Sequence, residues 1–378
     1  MKIILAPDSF KGSLTSAQVI EKIEAAAMRN FPGCEVVKFP IADGGEGTVD
    51  ALVGVAKGEF RSVTVKGPLG SPVEAKYGII HKDTAVIEMA AADGLPLIPE
   101  KERNLLRASS FGTGQVIREA LETGYRKIII AVGGSATNDG GIGAMTALGM
   151  EFLDKEGNVL EPTGGNLASI ADYRTEGLCP ELAEAEITVM CDVDNPLIGP
   201  HGATYVYGPQ KGGTEEILAV LEAGMINYAD VIREKSGMAF HEMPGAGAAG
   251  GISTALVAFA GAKLRSGISV VLEASEFEKS LDGADLVVTG EGRLDTQSVR
   301  GKVIHGIGSA CKPRGVPVVA LVGGMTDGAD AIYQFGVNSV MVIVNGVMDL
   351  EQAIADAGKL LEDAADRMFR MIKIGKTL

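Results

Sequence analysis

The stretch KIILAPDSFKGSLTS, residues 2–16, runs from an apolar segment through a charged loop to the start of a helix. After its lysine, KIILA (2–6) has no polar alternation, so a strand here meets apolar neighbours on both faces. Beyond the loop, Ile20, Ile23 and Ala27 share one face of a helix opening near Thr15. A strand covered on both sides and followed at once by a helix belongs in a parallel sheet between helical layers.

The progression repeats. EVVKFPIA (35–42) leads into DGGEG and a helix near Thr48, and KIIIAV (127–132) leads into GGSATNDGGIG and AMTALG. DLVVTG (285–290), PVVALVG (317–323) and SVMVIVN (339–345) each exit into polar loops. A long amphipathic helix is expected from about Leu350 to Ile372. Residues 61–90 differ, alternating apolar and polar about GPLGSP, which predicts antiparallel strands joined by a turn.

The expected fold is α/β with two domains. One is discontinuous and Rossmann-like, residues 1–64 plus 283–378, with a largely parallel sheet in three layers. The other, residues 65–282, is inserted and carries a mixed sheet. Ligands of such sheets gather at the carboxyl ends of strands, so the glycine-rich exits are expected to open on one shared cleft.

Composition narrows the function. The 51 glycines among 378 residues are about twice the usual ~7% and, lacking a G-X-Y period, signal tight turns and close backbone approaches. A net charge of −15, with no basic run longer than a pair, argues against nucleic acid or an anionic membrane as partner. Cys34, Cys179, Cys191 and Cys311 are scattered without a C-x-x-C, and the four histidines are isolated, so neither a disulfide framework nor a zinc site is indicated. No segment approaches the ~18 uninterrupted apolar residues that span a bilayer, and the first residues read as a strand, not a signal peptide. These features predict a soluble cytoplasmic protein, a monomer or homodimer.

The nucleotide signatures are incomplete. The only Gly-Lys-Thr is Gly375-Lys376-Thr377, with Arg370 where a Walker loop needs its first glycine. A G-x-G-x-x-G does occur at Gly245, Gly247 and Gly250, but HEMP precedes it instead of an apolar strand. PGAGAAGG runs into a helix with Gly251 at its mouth, which suits either an anion at unpaired amides or close helix packing.

Other loops carry charge at strand ends. PDSFKGSLTS sets Asp8, Ser9 and Lys11 there; capping explains the hydroxyls but not the lysine. DGGEG and DGGIG share a pattern in which Asp43 and Asp139 either cap helices or reach a ligand, and Ser135 and Asn138 add donors to the second loop. In CDVDNPL, Asp192 and Asp194 fall on one side of an extended chain and suit Mg²⁺ or general-base work, with a plain turn as the competing reading. TGEGRLD groups Glu291, Arg293 and Asp295, with Lys302 following.

In this order, APDSFKGS, IADGGEGT, SSFGTGQ, GGSATNDGG, CDVDNPL, GPQKG, PGAGAAGG and TGEGRLD resemble the bacterial glycerate kinase family unrelated to P-loop kinases, along essentially the whole chain. The resemblance implies two α/β domains, one inserted in the other, with the active site in the cleft between them, and transfer of the γ-phosphoryl of ATP, with Mg²⁺, to D-glycerate. The implied product is 2-phosphoglycerate, with the 3-phosphate or a related hydroxy acid as alternatives. The ATP phosphates are then expected on Gly133, Gly134 and Ser135 and on Gly245, Gly247, Gly250 and Gly251, and Mg²⁺ on Asp194 and Glu291. Asp192 is the first candidate base and Asp295 the second, with Lys11 meeting transition-state charge. Asp8, Ser9, Lys11, Asp43, Asn138, Asp139 and Arg293 are expected around the acid. Two rivals stand beside this reading, a nicotinamide oxidoreductase using Gly245–Gly250 and a non-catalytic sugar-acid binding protein.

Overall fold

The structure is a computed structural model that describes residues 1–41, 47–296, 298 and 301–377; Asp43 lies outside the described residues. The chain divides into two compact units, Met1–Asp43 with Ser266–Leu378, and Gly44–Arg265. In chain order the first unit supplies β1 (Lys2–Leu5) and β2 (Glu35–Lys38). The second supplies β3 (Glu59–Lys66), β4 (Pro72–Ile80), β5 (Thr84–Glu88), β6 (Lys127–Ala131), β7 (Glu151–Leu153), β8 (Asp172–Arg174), β9 (Glu186–Met190) and β10 (Lys263–Arg265). The chain then returns to the first unit for β11 (Leu286–Leu294), β12 (Val318–Met325) and β13 (Ser339–Val342).

The first unit's sheet has the order β13-β12-β11-β1-β2, and every neighbouring pair is parallel. Ile3 and Leu5 face the helices Ser16–Asn30 and Ala357–Gly375, whose Val19, Ile23, Leu361 and Phe369 complete that core layer. Ile4 and Val287 are equally buried, and the helix Val303–Cys311 packs on β11 and β12. The apolar-on-both-faces pattern of KIILA is thereby explained. Thr15 and Gln18 form the capping box that starts the first helix, so the chain stays unwound through Asp8, Ser9 and Lys11. Strand order reverses between β1 and β11, which makes their carboxyl ends the switch point.

Two elements differ from expectation here. Pairing of β11 with β12 runs on through Glu291↔Val322, Arg293↔Gly324 and Leu294↔Met325, so the charged GEGRL segment is strand and not loop. Glycines make this possible: a Cβ on Gly323 would stand 2.3 Å from the Gly292 carbonyl oxygen. The expected helix from Leu350 is two, Leu350–Ala355 and Ala357–Gly375, parted at Asp356. The first piece buries none of its residues, whereas the second has a continuous buried face.

The second unit has a six-stranded sheet in the order β10-β9-β6-β5-β4-β3, parallel from β10 to β5 and antiparallel at β4 and β3. A separate pair, β7 and β8, is antiparallel. GPLGSP is the turn between β3 and β4, closed by Gly67 N donating to the Ser71 carbonyl at 2.7 Å. The domain boundary expected after residue 64 cuts β3, which is paired with β4 along its whole length, so the joint lies earlier. The return lies earlier too, at 265/266 and not 282/283, because the helix Gly267–Ala274 packs on Val303–Cys311.

Candidate active site

In the first unit, pairing continues past β1: Ala6 N donates to the Val288 carbonyl at 2.9 Å and Asp8 N to the Gly290 carbonyl at 2.8 Å. Asp8 is thus held beside β11, buried, with Ser9 N donating to its Oδ1 at 2.6 Å. Phe10 and Leu14 then bond each other's backbone, at 2.8 and 3.0 Å, and project Lys11 outward on a tight turn.

Glu291 stands on the next strand, 6% exposed, and its buried Oε1 has no hydrogen-bond partner among the described residues. Burial pushes its carboxyl up to about 7; Ser298 and Lys302 oppose that shift, while Asp8 and Asp295 add to it. Asp295 receives the Ser298 amide at 3.1 Å, an Asx-type turn that fixes its direction. These groups line one cavity of about 620 Å³ together with Arg293 and Lys302. Of the residues singled out from sequence, the structure therefore gathers Asp8, Ser9, Lys11, Glu291, Arg293 and Asp295.

The second unit's loops are built differently. Lys211, on the turn Pro209–Lys211, donates to Ser135 Oγ at 2.8 Å and to the Thr137 carbonyl at 2.7 Å. It is 3% exposed, and burial pulls its ammonium down to about 7, with Asp139 opposing. Sequence reasoning did not select Lys211; its only signal was a lysine between the turn residues of GPQKG.

Several expected ligand groups are occupied by the fold itself. Asp139 is fully buried, its Oδ2 receiving Ser110 N at 2.7 Å, Ser110 Oγ at 2.8 Å and Gly143 N at 3.2 Å, and its Oδ1 receiving Gly141 N at 3.1 Å. That is helix-mouth chemistry, the capping role the sequence left open for Asp139 beside a ligand contact. Asn138 is also fully buried and donates to Thr204 Oγ1 at 3.1 Å. It, too, belongs to the interior.

The glycines of PGAGAAGG serve packing. A Cβ on Gly250, where φ is +73°, would lie 2.1 Å from the Thr137 carbonyl oxygen, and one on Gly247 would lie 2.2 Å from that of Pro196. Gly247 N donates to the Asn195 carbonyl at 3.0 Å, and Gly140 N to that of Gly250 at 2.9 Å. Gly245 and Gly251 sit in the same packed loop, so close helix packing, one of the two readings the sequence left open, accounts for all four glycines. The Ser135 hydroxyl accepts a hydrogen bond from Lys211. Gly133 is half-buried and Gly134 exposed after β6. Asp192 and Asp194 are both exposed after β9 and alternate with half-buried Cys191 and Val193, as their spacing predicted.

Among the described residues no group of three or more His, Cys, Asp or Glu is arranged to hold a metal ion, and no helix is long and apolar enough to cross a membrane.

Acids set beside cations at the switch point of a doubly wound sheet are the equipment of an enzyme that handles phosphoryl groups. Comparison with known proteins gives the class its name. The model of the glycerate kinase family matches residues 3–373. The glycerate kinase of Bacillus subtilis (strain 168) is 45% identical, covering 100% of this chain and 99% of its own. The glycerate 2-kinase of Escherichia coli (strain K12) is 44% identical over 94% of each. A crystal structure of a glycerate kinase 2 from Salmonella typhimurium LT2 superposes with a TM-score of 0.85 at 41% identity, covering 100% of both chains. The chain belongs to the glycerate kinase family and is a kinase. The nicotinamide reading of Gly245–Gly250 falls with this and with the absence of a strand before Gly245.

Proposed function

We propose that this protein transfers the γ-phosphoryl of ATP to the 2-hydroxyl of D-glycerate, with Mg²⁺, in the cavity of the first unit. The supporting observation is the grouping of Asp8, Lys11, Glu291, Arg293, Asp295 and Lys302 around that single cavity at the switch point. The E. coli relative's name, glycerate 2-kinase, supports the 2-phosphate as product.

The donor set suits Mg²⁺ arriving with the phosphates. Such an ion takes one or two carboxylates and completes its shell from phosphate and water, and Glu291 Oε1, without a hydrogen-bond partner among the described residues, offers it an oxygen. When bound, Mg²⁺ would neutralise charge on the phosphates. Arg293 matches a carboxylate with its planar fork and holds the acid. Lys11 and Lys302 meet the charge spread over the migrating phosphoryl. The hydroxyl oxygen forms the new bond to phosphorus as the bridging oxygen leaves with ADP. Its proton passes to Asp295, which lines the same cavity as the cations; Asp192 is the second candidate for this role.

The setting we assign is the cytoplasm, in keeping with four cysteines that are all free thiols. A coupled ADP-release assay over several hydroxy acids, followed by phosphorus NMR of the product, tests the reading. D-Glycerate is expected to be preferred and the 2-phosphate formed. No ADP release with any acid would sink it, and a 3-phosphate signal would move the acceptor hydroxyl.

A further inference from the structure

The cavity of the first unit exceeds the needs of a three-carbon acid, and its two ends differ in chemistry. The β1–β11 side presents Lys11 and Glu291, with Lys302 at the mouth of the helix that follows; β12, β13 and the helix Leu350–Ala355, on the far side in strand order, bring Met325, Ile343, Val344, Leu350 and Ile354. At about 620 Å³ it falls among pockets that take cofactors, roughly 300–1,000 Å³.

The apolar wall is not core. Leu350 is 76% exposed, Ile354 40% and Met325 38%. The helix carrying Leu350 and Ile354 buries none of its residues, so the packing of this unit does not require their apolar character. Clustered apolar side chains left in water around a recess mark a ligand surface.

We infer that this wall seats the purine of ATP, with the triphosphate extending toward Lys11 and Lys302. The inference rests on the kinase reading above and deepens it. A nucleoside triphosphate is the ligand whose two ends match those of the cavity, a flat apolar ring system and a polyanion. The assignment also removes the triphosphate from the second unit's glycine loops, where Gly247 N and Ser135 Oγ already have protein partners.

Photolabelling of the wild-type enzyme with 8-azido-ATP and Mg²⁺, read by peptide mass spectrometry, tests the seat. Label is expected on the segments 318–325 and 339–357, and excess ATP should block it. Label on 133–138 or 245–251 instead would overturn the inference. Calorimetry gives the second arm. Ile354→Glu should weaken ATP binding at least about tenfold by placing a charge against the base, with inorganic triphosphate binding and the KM for D-glycerate nearly unchanged. Unchanged ATP affinity, or an equal loss for triphosphate, would overturn it. So would a wild-type dimer that Ile354→Glu splits with ATP affinity intact, since the face would then belong to a second copy. Wild-type ADP release in the same preparations keeps the two questions apart: turnover with an Ile354→Glu enzyme of normal ATP affinity removes the seat alone.

Discussion

Lys211 Nζ lies 2.8 Å from Ser135 Oγ and 2.7 Å from the Thr137 carbonyl oxygen, in a position almost closed to solvent. The pair ties the Pro209–Lys211 turn to the loop leaving β6. Burial holds the ammonium down to about 7, far below its ordinary 10.5. Between those values the unfolded chain carries a proton that the folded chain lacks, so stability rises with pH. Below about 7 both states are protonated and the full cost of burying the charge applies. Denaturation of wild type and Lys211→Met at pH 6.5, 8 and 9.5 should show the wild type gaining on the variant at each step. A flat difference would mean the lysine stays charged, held so by the buried Asp139 carboxylate.

Lys11 is exposed on its turn, so truncating it threatens chemistry more than folding. Lys11→Ala is expected to cost at least ~2 kcal/mol in kcat/KM, by analogy with loss of an oxyanion donor. Its thermal midpoint should match the wild type. Normal kcat/KM would reduce Lys11 to a turn residue.

Asp295 and Asp192 are the two groups proposed to take the acceptor proton. Asp295→Asn should lower kcat by roughly a hundredfold or more, with the KM for ATP nearly unchanged. Asp192→Asn decides between them: near-normal turnover leaves the base role with Asp295, whereas a comparable fall in a variant whose Asp295 counterpart stays active transfers it to Asp192.

Gly250→Ala separates packing from phosphate binding. The added methyl meets the Thr137 carbonyl at 2.1 Å from a residue with φ +73°. A loss of more than about 2 kcal/mol in unfolding free energy is expected. At a temperature where the variant stays folded, its KM for ATP should be normal. A raised KM with unchanged stability would restore the loop to the nucleotide.

The parallel sheet and the β3–β4 hairpin were legible because each rests on local pattern. KIILA shows strand covered on two sides, and GPLGSP shows a turn between alternating runs. The extension of β11 was hidden, since Gly-Glu-Gly-Arg has loop composition and becomes strand only because β12 presents its own glycines opposite. Charge density at a strand end picked out Asp8, Lys11, Glu291, Arg293 and Asp295, which line one cavity. Glycine density could not separate packing from phosphate binding, because a bare backbone serves a neighbouring carbonyl as readily as a phosphate. The repeated DGGxG shows the limit of motif reading: the helix begins after the last glycine in the first copy, at Thr48, and after the second in the other, at Ile142. Lys211 and the apolar wall were invisible, because burial and exposure are properties of the folded chain.

Ile3 pairs with Leu286, so the central strand of the first unit waits for a neighbour encoded beyond the whole of the second. On the ribosome the inserted unit can mature while β1 keeps one open edge, and only synthesis through Met325 delivers both β11 and the strand that flanks it. Since Asp8 is positioned by Gly290, and Glu291 lies on β11 with Asp295 just after it, the cavity proposed for the reaction is completed late in this chain's biogenesis, set by translation distance as much as by folding speed.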